Sequence, residues 1–320
     1  MDIFIQFGLL AIGFVLLIKG ADWFVGGASK IADRFGIPQL IIGLTIVAMG
    51  TSAPEAAVSI SAAVKNTAEN NSAAIAIGNI LGSNILNILL ILGITSVIMV
   101  IPVQLSTIKY EIPFMIIITC LLAGIGYTKG YLGRIDGLVL WVFMVIYLVY
   151  LVMMAKKDQI KIGLEEPAVK IKENIFMLLF LLLLGIGAIV WGSDIAVDAA
   201  TALARIFGMN ERLIGLTIVA FGTSLPELIT SITAALRKNA DIAVGNIVGS
   251  NVFNILFVIG TTSLITDVPY QTSFNFDSIV CIAAAALLFL CVFRKKKLTR
   301  RHGIIMLCVF CAYYMKIILF

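Results

Sequence analysis

The chain has 320 residues, of which 61% are hydrophobic and 13% are charged, and its mean hydropathy is +1.08. A water-soluble protein of this length needs more charged residues to cover its surface, so the composition excludes a soluble globular protein. The net charge of +5 comes from Lys and Arg between apolar blocks and does not indicate nucleic-acid binding. The composition predicts an integral membrane protein in the lipid bilayer.

Ten apolar blocks follow one another along the chain, and each is about as long as the twenty residues that cross a bilayer as a helix. They lie at residues 3–28, 37–65, 71–100, 111–128, 135–155, 174–199, 211–236, 241–265, 277–293 and 303–319. The first block has no basic residues before its apolar core, so it is interpreted as a retained span and not as a signal peptide. The blocks predict an all-α membrane protein with ten transmembrane helices.

Lys and Arg are divided unevenly between the loops that separate these blocks. Most of them lie on one side, including the basic residues of 156–173 and of 294–301. Loops rich in Lys and Arg stay in the cytoplasm. The pattern therefore predicts a plasma (inner) membrane protein with both termini outside and the loop 156–173 in the cytoplasm.

Two segments of the first half recur in the second half. GLTIVAMGTSAPEAAVS at 43–59 returns as GLTIVAFGTSLPELITS at 215–231, and IAIGNILGSNILNILLILG at 75–93 returns as IAVGNIVGSNVFNILFVIG at 242–260. Each copy covers five predicted spans, an odd number, so the second copy enters the membrane from the opposite face. The sequence predicts a first five-helix repeat (1–155), a cytoplasmic linker loop (156–173) and a second, inverted repeat (174–320).

Each repeat has a proline in the middle of its second span, Pro54 in one and Pro226 in the other. Proline breaks a helix and frees a backbone carbonyl, which needs a partner inside a bilayer. Polar side chains surround each break, namely Thr51, Ser52 and Glu55 in the first repeat and Thr223, Ser224 and Glu227 in the second. An intramembrane carboxylate indicates a functional site. The alternative is that each glutamate is protonated and only joins two helices by a hydrogen bond. This interpretation is less favoured because the two repeats carry a glutamate at the same position.

The span after each break adds neutral oxygen donors at every fourth residue. These are Asn79, Ser83 and Asn87 in the first repeat and Asn246, Ser250 and Asn254 in the second. Asn84 and Asn251 lie off this stripe and are expected to bond neighbouring helices. Carboxylate, hydroxyl, amide and carbonyl oxygens suit sodium or calcium and disfavour the softer transition metals. The five cysteines lie in apolar spans, and the single histidine argues against a zinc site.

The paired motifs G-T-S-x-P-E and G-N-x-x-G-S-N-x-x-N resemble the alpha repeats of the cation/calcium antiporter superfamily, in particular its prokaryotic sodium/calcium exchanger-like members. The resemblance covers nearly the whole chain. It implies that the second, third, seventh and eighth helices form an ion-binding core with broken helices. It also implies that the first and sixth helices slide across this core to alternate access.

Carried over motif by motif, the resemblance implies a set of ion ligands from both repeats. These are the backbone of Ala48 and Ala220 and the side chains of Thr51, Ser52, Glu55, Ser83, Asn87, Thr223, Ser224, Glu227, Ser250 and Asn254. Some members carry an aspartate at the last asparagine of one repeat, whereas this chain has Asn87 and Asn254. With two carboxylates and not three, the coupling ion stays open.

The implied function is a secondary antiporter that exchanges calcium for sodium, with protons as competitors and without a cofactor. The many neutral ligands favour sodium as the coupling ion, and proton/calcium exchange is the alternative. A passive cation channel is a weaker third possibility. The sequence has no H-E-x-x-H, no G-x-S-x-G and no nucleotide-binding loop, so an enzyme is not expected. No obligatory protein partner is evident from the sequence.

Two further carboxylates, Asp22 and Asp194, occupy matching places on the first and sixth spans. They are predicted to lie near opposite membrane interfaces as anchors, and a role in the ion pathway is the alternative. Lys19, three residues before Asp22, is the expected partner for an ion pair along the helix.

Overall fold

The structure is a computed structural model that describes residues 3–66, 73–165, 174–208 and 220–319. Within these residues the fold is all-helical apart from short strands. The helices are α1 (Ile3–Phe35), α2 (Gln39–Thr51), α3 (Ala53–Val64), α4 (Ala74–Ile98), α5 (Thr107–Lys129), α6 (Arg134–Glu165), α7 (Ile175–Ile206), α8 (Ala220–Thr223), α9 (Leu225–Leu236), α10 (Ala240–Ile265), α11 (Phe274–Phe293) and α12 (Arg300–Leu319). The strands are β1 (Ile101–Pro102), β2 (Tyr131–Leu132), β3 (Val268–Pro269) and β4 (Lys297–Leu298).

Several helices continue beyond the apolar blocks that predicted them. α1 extends to Phe35 and α7 to Ile206, and α6 extends to Glu165. Residues 156–165 of the predicted linker loop are therefore helical, and its remainder lies outside the described residues. An apolar block measures the thickness of the hydrocarbon layer, whereas backbone hydrogen bonds carry a helix on through polar residues such as Lys156 and Lys157.

The second span breaks where the sequence predicts. α2 and α3 meet at an angle of 49°, and Ser52 between them has φ −82° and ψ 8°. α8 and α9 are separated in the same way at Ser224, with φ −92° and ψ 3°. In each case the proline lies in the first turn of the following helix, where its missing N–H costs no hydrogen bond.

By length and composition, the described residues contain seven helices able to cross a membrane, or eight if α2 and α3 form one broken span. α9 is a shorter apolar helix of the broken seventh span. Residues 209–219 of that predicted span lie outside the described part of the chain. The total of ten spans therefore stays a prediction.

α1 and α7 pack against each other through glycines. A Cβ atom at Gly20 would lie 2.8 Å from the carbonyl oxygen of Gly185, and one at Gly192 would lie 2.9 Å from that of Gly13. Such distances leave no room for a side chain, so the two backbones are in direct contact. Small residues permit this close approach between membrane helices. The first helix of one repeat and the matching helix of the other thus form one closely packed pair, in which Gly20 and Gly192 occupy matching positions.

α4 and α10 form the centre of the molecule, and α10 is almost completely buried. Gly245 and Gly249 let α10 approach α2 closely, because a Cβ atom at Gly249 would lie 2.7 Å from the carbonyl oxygen of Leu44. Both central helices contain a π-helical turn, at Leu86–Ile91 and at Asn254–Ile259. Such turns widen the helix and are frequent at functional sites.

The strands join the two halves of the chain in a reciprocal way. β1 follows the third predicted span and pairs with β4, where Ile101 is opposite Leu298. β3 follows the eighth predicted span and pairs with β2, where Val268 is opposite Leu132. Each half therefore provides the same two strands, and each strand finds its partner in the other half.

Candidate cation site

Two glutamates lie in matching positions in the first turns of α3 and α9. Glu55 and Glu227 are each the third residue of their helix, and both side chains are buried. The positive end of a helix stabilises a negative charge at this position. The breaks after α2 and α8 place these helix starts inside the protein, and the carboxylates with them.

A serine at each break reaches the glutamate of the other half. Ser52 Oγ donates to Glu227 Oε1 at 2.9 Å, and Ser224 Oγ donates to Glu55 Oε1 at 3.4 Å. The spacing S-x-x-E is that of a helix capping box, in which the serine would bond to its own helix. Neither serine makes that bond. Their hydroxyl groups instead connect the two halves of the chain at the carboxylates.

Ser83 of α4 adds a third serine to this group. Its Oγ donates to Glu55 Oε1 at 3.2 Å and lies 3.4 Å from Ser224 Oγ. The structure therefore brings five of the predicted ligands into a cluster of two hydrogen-bonded groups, Ser52 with Glu227 and Glu55 with Ser83 and Ser224.

Four buried oxygen atoms at this centre accept no hydrogen bond within the described residues. They are Glu55 Oε2, Glu227 Oε2, Asn87 Oδ1 and Asn254 Oδ1. A buried oxygen without a donor is costly unless something else binds it. Carboxylate and amide oxygens are ligands for sodium and calcium. These atoms have the chemistry and the free lone pairs that a cation needs.

The asparagine side chains are held so that their oxygens stay free. Asn87 Nδ2 donates to Asn251 Oδ1 at 2.9 Å, and Asn254 Nδ2 donates to Asn84 Oδ1 at 3.1 Å. Asn84 and Asn251 also bond each other's backbone carbonyls at 3.2 Å. As predicted, these two residues join neighbouring helices, and they fix the amide orientation of Asn87 and Asn254.

The remaining predicted ligands make other contacts. Thr51 Oγ1 donates to Asn246 Oδ1 at 3.0 Å, and Ser250 Oγ donates to the carbonyl of Ala48 at 3.4 Å. Ala220 and Thr223 both lie in α8; Thr223 is half-buried and donates no side-chain hydrogen bond to the cluster within the described part of the chain. Ala48, Thr51 and Ser250 thus lie at the contact of α2 with α10.

Two serines outside the predicted set support the broken helices. Asn79 Nδ2 donates to Ser59 Oγ at 3.0 Å and to the carbonyl of Glu55 at 3.2 Å. Asn246 Nδ2 makes the matching bond to Ser231 Oγ at 3.0 Å. Ser59 and Ser231 end the repeated segments, so the repeat itself contains a signal for their role.

A carbonyl freed by proline finds a partner that the sequence did not predict. Gly222 lies near the end of α8, and its carbonyl cannot accept a hydrogen bond from Pro226, which has no N–H. The structure shows Ser193 Oγ of α7 donating to this carbonyl at 2.8 Å. The first half has Ala21 at the place that matches Ser193, so this bond belongs to one half only.

The predicted partner of Asp22 is wrong. Arg237, just after α9, donates two hydrogen bonds to Asp22 Oδ1, whereas Lys19 does not pair with it. Both side chains are partly exposed. The ion pair joins α1 to the segment between α9 and α10, a contact between residues far apart in sequence.

The charges around the two glutamates favour bound cations. No Lys or Arg of the described residues pairs with Glu55 or Glu227, and those residues contain no group of three or more His, Cys, Asp or Glu side chains that could together hold a metal ion. Two buried carboxylates without a positive partner need a cation or a proton to balance them. Any further metal ligands must be neutral oxygens, which the site provides.

Comparison with known proteins identifies the family. The sodium/calcium exchanger protein family matches residues 5–156 and 177–319. The inner membrane protein YrbG of Escherichia coli is 38% identical over 264 residues, which cover 81% of this chain and 79% of YrbG. The sodium/calcium exchanger MaX1 of Methanosarcina acetivorans is 28% identical over 345 residues, which cover 97% of each protein.

A solved structure is similar over the whole molecule. The sodium-calcium exchanger NCX_Mj, soaked with zero sodium and calcium, superimposes with a TM-score of 0.84 at 31% identity, covering 99% of this chain and all of that one. The chain is a cation/calcium exchanger-like membrane protein and belongs to the sodium/calcium exchanger family.

Proposed function

We propose that this protein exchanges calcium for sodium by alternating access at the site between α3, α4, α9 and α10. The observation that carries the proposal is the set of four buried oxygens without hydrogen-bond donors, one on each glutamate and one each on Asn87 and Asn254. Similarity to exchangers named for sodium and calcium supports the choice of ions.

The charge of the site fits both ions. Glu55 and Glu227 together carry two negative charges when ionised, which one calcium ion balances. Sodium ions balance them by occupying adjacent oxygen sites. The neutral ligands Ser83 and Ser250, with the carbonyls of Ala48 and Ala220, extend the set of oxygens that a sodium ion needs.

The proposed architecture is ten transmembrane helices in two inverted repeats, 1–155 and 174–320. The strand pairs and the serine–glutamate hydrogen bonds support it. In both cases a contact from the first half to the second is repeated by the matching contact from the second half to the first. The glycine contact between α1 and α7 supports their movement as one pair across the core. Sites between inverted repeats are usual in secondary transporters.

We propose a plasma (inner) membrane location with both termini outside and the linker 156–173 in the cytoplasm. The Lys and Arg distribution supports this orientation. The E. coli relative named as an inner membrane protein supports the membrane. The transported ions and the lipid are the only partners that the proposal needs.

Calcium-45 uptake into proteoliposomes tests the proposal. An outward sodium gradient should drive uptake, which should weaken at low pH because protons compete for the two glutamates. Vesicles with equal sodium on both sides are the control. If a proton gradient drives uptake equally well without sodium, proton/calcium exchange replaces the sodium mechanism.

Proton/calcium exchange is the second candidate, and one observation favours it. The buried glutamates have no basic partner in the described part of the chain, so protons are able to neutralise them in place of sodium.

A counterflow measurement distinguishes a passive channel from both kinds of exchanger. Calcium loaded inside the vesicles should accelerate uptake of labelled calcium in an exchanger, and a channel should show no saturation of the flux.

A further inference from the structure

A cavity connects the candidate site with a carboxylate that the site does not use. Its volume is about 290 Å³, and its lining includes Asn79, Ser83, Asp277 and Tyr313. Along α4 it extends from Gly78 to Leu86, about 12 Å of helix. Ser83 at its inner part donates to Glu55, and Asp277 lies in the first turn of α11. The cavity thus runs from Asp277 to Ser83, the serine that donates a hydrogen bond to the buried Glu55.

Asp277 is a carboxylate without a positive partner. Tyr313 OH donates to its Oδ1 at 2.9 Å, and no Lys or Arg of the described residues pairs with it. The nearest lysine on α12, Lys316, instead lies over the ring of Phe276, with Nζ 3.6 Å from the ring centre. The side chain of Asp277 is half-buried, so part of it remains accessible. Its negative charge is available to a mobile cation.

The other half of the molecule has no such opening at the matching place. Asn79 is half-buried beside the cavity, whereas the matching Asn246 is completely buried. Glu111, the carboxylate near the start of α5, is also completely buried and accepts a hydrogen bond from Tyr150. The cavity beside Glu111 is lined by α5 and α6 and includes no predicted ligand. Only the cavity at Asp277, of these two, reaches the candidate site.

We propose that Asp277 is an access residue that attracts cations into this cavity and toward Ser83 and Glu55, from one side of the membrane only. The proposal rests on the proposed function in one respect, that the cations move through the cavity toward Ser83 and Glu55. Its physical basis is independent: a partly exposed carboxylate in the lining of a cavity with low-dielectric walls concentrates cations there. Tyr313 holds the carboxylate toward the cavity. Asp277 touches no glutamate of the site, so it acts on approach and not on final coordination.

Labelling of a cysteine inside the cavity measures the attraction directly. Gly82 lines the cavity, and a Cβ atom there meets no atom of the described residues within 4 Å. Gly82→Cys, in a background without the native cysteines, is labelled with one positively and one negatively charged methanethiosulfonate. Asp277→Asn should lower the ratio of positive to negative labelling rates by roughly two- to five-fold at low salt, since one unit charge is lost. Lys316→Gln should change it in the opposite direction, and Asp277→Glu should preserve it.

Transport supplies the second measurement. With calcium applied on the side of Asp277, Asp277→Asn should raise the half-saturating calcium concentration by roughly two- to five-fold and leave the maximal rate unchanged. Calcium applied from the opposite side should show no change. An unchanged labelling ratio, or equal effects from both sides, overturns the proposal. If the wild-type protein exchanges no calcium, the proposed function fails, while the labelling ratio still decides the role of Asp277.

Discussion

Each buried glutamate has two different oxygens. Oε1 of Glu55 and of Glu227 accepts a serine hydrogen bond from the other half, and Oε2 accepts none within the described residues. The bonded oxygen fixes the orientation of the carboxylate, and the other oxygen stays free. A carboxylate held in this way presents a charged ligand without first breaking a hydrogen bond. The asparagines repeat the arrangement with one bonded amide nitrogen and one free oxygen.

Neutralising either glutamate tests this arrangement. Glu55→Gln and Glu227→Gln should each lower calcium exchange by at least about 100-fold, because losing about 3 kcal/mol of binding free energy changes affinity by that factor. Exchange is measured as calcium-45 uptake under a sodium gradient. Glu111→Gln, a buried carboxylate outside the cluster, is the matched control and should retain exchange. Near-normal uptake by a folded, monodisperse Glu55→Gln or Glu227→Gln protein would contradict the role of that glutamate.

Ser52 offers a graded test at the same scale. Ser52→Ala removes a neutral donor to Glu227 Oε1 but leaves both charges. A hydrogen bond to a charged group contributes about 1.5–3 kcal/mol, so the half-saturating calcium concentration should rise by roughly ten- to 100-fold. The maximal rate at saturating calcium should change less than in Glu227→Gln. A Ser52→Ala protein as inactive as Glu227→Gln would mean that Ser52 does more than orient the carboxylate.

At the scale of elements, α1 is joined to the core at one end. Arg237 pairs with Asp22, and Asn239 Nδ2 donates to Ser29 Oγ at 3.2 Å. The ion pair is partly exposed, so its contribution to stability is at most about 1 kcal/mol. α1 also shares a buried hydrophobic cluster with α2, α9 and α10, so these polar contacts add only a small part of its attachment to the core.

A reversible cross-link tests whether α1 must slide. Ser29→Cys with Asn239→Cys, in a background without the native cysteines, should form a disulfide because the replaced side chains are in contact. Oxidation should abolish exchange, and reduction should restore it, since a sliding helix cannot move while fixed to the core. The single variants under the same oxidant are the control. Full exchange by the completely cross-linked protein would show that α1 does not move at this end.

At the scale of the whole molecule, orientation follows from loop charge. Cysteines at Lys161 and Lys297 should resist impermeant thiol reagents on intact cells, and one at Lys129 should react. Permeabilised cells, in which all three sites should react, are the control. External labelling at Lys161 would mean that the molecule has the opposite orientation.

The sequence by itself determined the membrane class, the repeated segments, the two helix breaks and the buried glutamates. These features follow from local rules: apolar length sets a span, proline interrupts a helix, and a repeated segment repeats its local structure. Pro54 and Pro226 therefore predicted the breaks at Ser52 and Ser224 to within a few residues. The ends of α1 and α6 were less predictable, because helices continue past the membrane on polar residues.

Only the tertiary structure decided which atoms meet across the two halves. Ser52 reaches Glu227 and Arg237 reaches Asp22, contacts between residues 175 and 215 positions apart. In both cases the sequence offered a nearer local partner, a capping bond for Ser52 and Lys19 for Asp22. These local partners are not used because the broken helices place their first turns at the contact between the two halves, where partners from the other half are in reach. Which oxygens remain free for a cation, and which cavity reaches them, depends on that contact.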